Sequence, residues 1–200
     1  MQDITIRNAS LADAPRILEI YAWYVEHTVI TFEYDVPSLE EFEGRMRRTM
    51  QKYPYLVIER DGRVEGYAYA GPFVGRAAYD WACELTIYLD HDARKHGMGR
   101  ALYEALADRL QAMGILNLYA CIGYPDGADD AHLTKNSAQF HAHLGYRLVG
   151  EFSRCGYKFG TWYSMVWMEK SIGARGESPA PVRPFPELSP AELDAILDQA

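Results

Sequence analysis

Cysteine is scarce in this sequence: Cys83, Cys121 and Cys155 are the only three in 200 residues. Their odd number, and the absence of any pair at metal-ligand spacing, excludes a disulfide scaffold and points to core thiols in a reducing compartment. No apolar run is long enough to span a bilayer, and the polar, strand-like start lacks the basic-then-apolar pattern of a signal peptide. A soluble, cytoplasmic protein with no membrane partner is therefore expected. Basic residues are in deficit, 20 Lys and Arg against 28 Asp and Glu, for a formal charge of −8. Nucleic acid needs a clustered basic face, so none is expected as a partner, although a local basic pocket stays open. What is present is an apolar fraction of 48%, enough for one sizeable core.

The chain alternates between the two hydrophobic periods. Asp3 to Arg7 reads as a strand, and Ser10 with Asp13 starts a helix carrying Ile17, Ile20, Tyr21 and Tyr24. Ser38 and Glu41 start a second helix through Phe42, Met46 and Met50, which Tyr53-Pro54 stops. Tyr55 to Arg60 and Arg63 to Ala70 form a hairpin about Asp61-Gly62. A strand over Trp81 to Asp90 leads into a helix marked by Met98, Leu102, Leu106 and Leu110 that ends before Gly114. Further strands are expected over Ile115 to Ile122, Arg147 to Phe152 and Thr161 to Met168, with a short helix over Ser137 to His143. This is an α/β (α+β) order, antiparallel hairpins first and a strand-helix-strand unit in the middle. After residue 172 the composition turns proline-rich up to Pro190, so residues 1–172 read as the domain and 173–200 as a tether with a terminal helix, Ala191 to Leu197.

The segment Arg94-Lys95-His96-Gly97-Met98-Gly99 lies between a strand and a helix. Glycines at a helix start leave backbone N–H groups pointing outward, and with the helix dipole they suit a diphosphate. Gly97 and Gly99 allow close approach, and Arg94, Lys95 and Arg100 add positive charge. On the glycines alone, a plain loop into a helix is an equally good reading. The spacing fits neither the dinucleotide nor the Walker pattern.

The same six residues match the Gln/Arg-x-x-Gly-x-Gly/Ala loop of the GNAT superfamily of N-acetyltransferases, preceded by the apolar strand Ile87-Tyr88-Leu89. Ala70-Gly71-Pro72-Phe73, Arg76, Ala78-Tyr79-Asp80-Trp81, Glu84, Ile122-Gly123, His141 to Tyr146, Cys155-Gly156-Tyr157-Lys158 and Trp162 resemble the phosphinothricin N-acetyltransferase branch over roughly residues 3 to 170. The resemblance implies the GNAT fold, a mixed and mostly antiparallel central sheet flanked by helices. It also implies acetyl-CoA as cosubstrate with no metal, Ile87, Tyr88 and Leu89 along its pantetheine arm, and Arg94, Lys95, His96, Gly97, Met98, Gly99 and Arg100 around its pyrophosphate.

Strand alternation places Glu84 with Thr86 and Tyr88 on one face. A carboxylate among apolar groups gains the basicity needed to deprotonate an ammonium, and the resemblance implies that Glu84 is the general base; from the residue alone, an ion pair with Arg76 is the simpler reading. His141 stands where many relatives carry a tyrosine thought to protonate the departing thiolate. It is read as catalytic, as a proton donor to sulfur or a carboxylate ligand, against a helix histidine satisfied by a carbonyl. His143 falls on another helix face, which argues against a metal pair. Arg76 and Tyr79 match the branch's amino-acid site, where a guanidinium grips an α-carboxylate. Phe32 either closes over the substrate or packs in the core. The asparagine of many relatives falls on Thr134 here, so Asn136 or Ser137 is expected to cap the helix and reach the cosubstrate instead.

The expected reaction is direct acetyl transfer to a primary amine, and the resemblance implies a small amino-acid-like substrate such as phosphinothricin, methionine sulfoximine or methionine sulfone. No covalent acetyl-enzyme is expected on Cys83 or Cys121. The rivals are a protein N-terminal or polyamine acetyltransferase and a non-catalytic acyl-CoA-binding module. Trp162, Tyr163 and Trp167 suggest sheet core or the face of a homodimer.

Overall fold

A computed structural model describes residues 4–93 and 97–197, the last four as backbone alone. Seven strands form one sheet in the order β1-β2-β3-β4-β5-β7-β6. They are β1 Ile4–Asn8, β2 Tyr55–Arg60, β3 Arg63–Pro72, β4 Ala82–Leu89, β5 Asn117–Tyr124, β6 Arg147–Lys158 and β7 Thr161–Ser171. Helices α1 (Ala14–His27), α2 (Leu39–Met50), α3 (Met98–Met113), α4 (Asn136–His143) and α5 (Pro190–Leu197) complete it. All neighbouring strands are antiparallel except β4 and β5.

Local signals account for these elements. Asp61 (φ 52°) and Gly62 (φ 78°) are both left-handed, as a two-residue turn must be to match the twist of β2 and β3. The Ser38 hydroxyl accepts the Glu41 N–H at 3.2 Å and caps α2. Gly114 (φ 93°) ends α3, and the Ile115 N–H bonds the Leu110 carbonyl at 3.0 Å. That cap consumes Ile115, so β5 starts two residues later than its apolar run suggests.

The sheet is buried on both faces. Along β2, Leu56 and Ile58 face α3 while Tyr55 and Val57 face α1 and α2. Leu102, Leu106 and Leu110 are fully buried on the α3 side, each stabilising the fold by about 2 kcal/mol. The parallel pair β4–β5 is paired only over Ala82↔Asn117, Cys83↔Leu118 and Glu84↔Tyr119. Past Glu84 the strands part, each still held by its outer neighbour. This parting makes the cleft.

Three expectations are corrected. Strand β6 runs on to Lys158 rather than stopping at Phe152, because register shifts at Leu148/Gly150 and Phe152/Gly156 absorb its glycines. Cys83 is a core thiol, but Cys121 and Cys155 are exposed. The segment after residue 172 is no free tether: Ala180 accepts the Trp81 indole N–H at 2.8 Å, Arg183 N–H bonds Met113, and Leu188 is buried against α3's core.

Candidate active site

Two adjoining cavities occupy the cleft. The larger, about 610 Å³, lies between the end of β4, the start of α3 and α4, and is lined by Ile87, Leu89, Gly97, Met98, Gly99, Arg100, Asn136 and Phe140 among others. The smaller, about 240 Å³, sits between the parted strands and includes Phe32, Glu84, Thr86, Tyr88, Tyr103, Cys121 and His141. Ile30, Ile87 and Ser137 border both. Ligands in the two cavities would therefore meet beside β4.

The larger cavity is built to take an anion. Gly97 turns the chain into α3 at φ 76°, a conformation costing an ordinary L residue about 1–2 kcal/mol. The first helical bond runs from Ala101 N–H to Gly97 at 3.2 Å, so the amides of Met98, Gly99 and Arg100 precede the helical ladder. A Cβ at Gly99 would lie 3.3 Å from the Phe140 ring and 3.5 Å from Leu89, leaving backbone as the cavity wall. Arg100 adds charge but shares it with Glu104 at 3.4 Å. Across the cavity, the Tyr24 hydroxyl donates to the Leu89 carbonyl at 2.5 Å. Arg94, Lys95 and His96, expected in the same cradle, lie outside the described residues. These features fit a diphosphate followed by an apolar arm.

Glu84 lies at the last residue pair joining β4 and β5. Burial raises its pKa above the ordinary carboxylate range, and among the described residues it has no ion pair, with Arg76 or any other cation. A desolvated, unpartnered carboxylate is a proton acceptor poised for use. The neighbouring Cys121 is exposed as a residue, yet desolvation at its thiol and the Glu84 charge push its pKa up to about 12, which makes it a poor nucleophile.

His141 is buried on α4. Its Nδ1 is 2.7 Å from the Ser137 carbonyl, and a carbonyl only accepts, so Nδ1 carries the proton. Burial lowers the imidazole pKa, leaving Nε2 as a lone pair 3.1 Å from the Tyr103 hydroxyl, which donates to it. In this state Nε2 has no proton to give. Tyr103 went unnoticed in the sequence, although it lies four residues after Gly99 on the same helix face.

Other expected residues scatter. Phe32 packs against Val29, Leu133 and Tyr163, as its core reading expects, and one part of it also lines the smaller cavity. Arg76 and Tyr79 are exposed and line neither cavity; Tyr79 lies against Phe73 on another groove beside Tyr119. A single chain thus does not bring them to Glu84. Lys135 occupies the α4 cap position with no side-chain cap bond, so neither Asn136 nor Ser137 caps that helix. Thr134, Asn136 and Ser137 all border the larger cavity.

Comparison with known proteins converges on this geometry. The model of the acetyltransferase (GNAT) domain matches residues 6–167. A phosphinothricin N-acetyltransferase of Streptomyces viridochromogenes is 34% identical over 90% of this chain and 92% of its own length. An L-methionine sulfoximine/L-methionine sulfone acetyltransferase of Pseudomonas paraeruginosa is 30% identical over 88% and 98%. The crystal structure of a phosphinothricin acetyltransferase from Sinorhizobium meliloti, in complex with acetyl-CoA, superposes with a TM-score of 0.80 at 33% identity, covering 91% of this chain and 98% of that one. With a domain match over most of its length and relatives at this identity, the chain belongs to the GNAT acetyltransferase family.

Proposed function

We propose that this chain transfers the acetyl group of acetyl-CoA to the primary amine of a small amino-acid-like substrate of the phosphinothricin, methionine sulfoximine or methionine sulfone type. The observation that carries the proposal is Glu84: a half-buried carboxylate that has no cation partner among the described residues, in the wall of the smaller cavity that adjoins the anion-binding one. The larger cavity takes acetyl-CoA, with its diphosphate on the Met98–Arg100 amides and its arm along Ile87, Tyr88 and Leu89; Thr134, Asn136 and Ser137 are the candidate polar contacts from α4. Acetyl-CoA supplies the activated acyl group. The smaller cavity takes the amine: Glu84 accepts a proton from the ammonium, the free amine attacks the thioester carbonyl to form the C–N bond, and the C–S bond breaks to release coenzyme A as its thiolate. His141 contributes an acceptor at Nε2 once the Tyr103 hydroxyl swings away, a role its tautomer favours over donation to sulfur. The high thiol pKa of Cys121 supports transfer without a covalent acetyl-enzyme.

Release of free thiol from acetyl-CoA, followed across amino acids, their sulfone and sulfoximine analogues, polyamines and peptides, tests the reading. Turnover confined to free amino-acid-like amines supports it; turnover only with peptides or polyamines moves the chain to that class, and none with any acceptor leaves a binding module. Arg76→Ala is expected to raise KM for amino acids alone if Arg76 holds an α-carboxylate.

A homodimer belongs to the same proposal. Edge strand β6 spans twelve residues, and Leu148, Val149 and Phe152 on it are about half exposed, as is Trp162 on β7. Long apolar edges are normally covered. Val149→Lys is expected to shift the particle from dimer to monomer by light scattering, and a wild type that is monomeric at micromolar concentration would remove this reading.

A further inference from the structure

Lys158 ends β6 only 3% exposed, a buried ammonium that forms no ion pair among the described residues. Removing such a charge from water is costly unless every proton finds a partner. Here each does: Nζ donates to the carbonyls of Val25 at 2.8 Å, Thr28 at 2.9 Å and Thr31 at 2.9 Å. The first two belong to the end of α1, where helix carbonyls concentrate negative partial charge. The third belongs to the irregular arch that follows, residues 29–32.

That arch is a shared wall. Ile30 borders both cavities, and Thr31 and Phe32 border the smaller one with Glu84. The end of β6 grips it at two more points. A Cβ at Gly156 would lie 2.2 Å from the Phe32 ring, so the ring seats directly on backbone, and the Tyr34 hydroxyl donates to the Tyr157 carbonyl. We propose that Lys158 is a positioning residue for the acceptor: by tying the last turn of α1 to the arch, it fixes Thr31 and Phe32 at the distance from Glu84 that the amine requires. The inference rests on the reading that the smaller cavity holds the amine.

Lys158→Met keeps the length and apolar stem of the side chain and removes its three donors. With whichever amine the wild type acetylates, the expected result is an acceptor KM raised about tenfold or more, a kcat within about threefold and an acetyl-CoA KM within about threefold, since a loosened arch weakens the grip on the bound amine while Glu84 and the larger cavity keep their places. Lys158→Arg, retaining charge and donors, should recover part of the acceptor KM. An unchanged acceptor KM beside a lowered Tm would make Lys158 a structural residue only and overturn the proposal. Should Lys158→Met fail to fold, Tyr34→Phe loosens the same grip from the surface, with an expected two- to threefold rise in acceptor KM at constant Tm; no rise overturns it. A wild type inactive on every amine would defeat the functional reading instead. The arch is then read by hydrogen exchange at the Ile30 and Glu33 amides, which bond Thr28 Oγ1 and Thr31 Oγ1: faster exchange in the variant upholds the tie and unchanged exchange ends it.

Discussion

Glu84→Gln is expected to lower kcat by about 10²- to 10⁴-fold, the range general-base removal usually costs. The amide preserves the shape of the smaller cavity and disturbs no ion pair of Glu84 among the described residues, so the KM for acetyl-CoA should stay within about threefold on the reasoning that ground-state binding is untouched. Steady-state rates of thiol release measure both. A residual kcat within about threefold of wild type would remove Glu84 from the reaction.

The pH profile sharpens the same test. A general base works when deprotonated, and burial raises the Glu84 pKa, so wild-type kcat/KM should climb with pH through a value above the ordinary carboxylate range. The amide of the Glu84→Gln variant cannot titrate, and that limb should vanish. Stability moves the other way. A carboxyl whose folded pKa is raised contributes fully below its unfolded pKa, and the contribution is lost as pH rises through the folded value. At neutral pH Glu84 therefore weakens the fold, and the variant should melt at the same temperature or higher. Activity gained at the expense of stability is the signature of a functional site.

Much of this architecture was legible because the signals are local. Asp61-Gly62 demands a left-handed two-residue turn, Ser38 with Glu41 demands a helix start, and the Leu102, Leu106, Leu110 stripe demands a buried face; all three occur as read. The features missed depend on residues distant in sequence. Nothing near Lys158 announces that its ammonium meets carbonyls 127 to 133 residues away, and Tyr103 looks like a core aromatic until α4 brings His141 to its hydroxyl. The glycines of β6 suggest a strand end, yet Gly156 is needed for contact with Phe32 on another element. The tail looked unstructured because its proline-rich segment lacks periodicity, while its docking uses single side chains such as Leu188 and Phe185 against α3. Arg76 and Tyr79 matched a motif without carrying any information on which cavity, or whose, they face.

Gly99→Val should be nearly as damaging as loss of Glu84, through binding rather than chemistry. Position 99 is in the first turn of α3 with no positive φ, so a side chain is tolerated by the backbone and relieves the entropic cost of glycine in a helix, about 0.3–0.5 kcal/mol on propensity scales. The obstacle is space. The new Cβ would sit 3.3 Å from the Phe140 ring and 3.5 Å from Leu89, and branched methyls reaching further must enter the larger cavity beside the α3 amides or push Phe140 away. Overpacking of about 1–3 kcal/mol offsets the helical gain, so Tm should shift by only a few degrees, while KM for acetyl-CoA rises about 10²-fold, equivalent to about 2.7 kcal/mol of lost binding. Arg100→Ala supplies the contrast. That guanidinium is more than half exposed and shared with Glu104, where screened charge contributes little, so its loss should raise the same KM only about threefold. If the order were reversed, charge rather than close backbone approach would hold the diphosphate, and the glycine at 99 would have no part in binding.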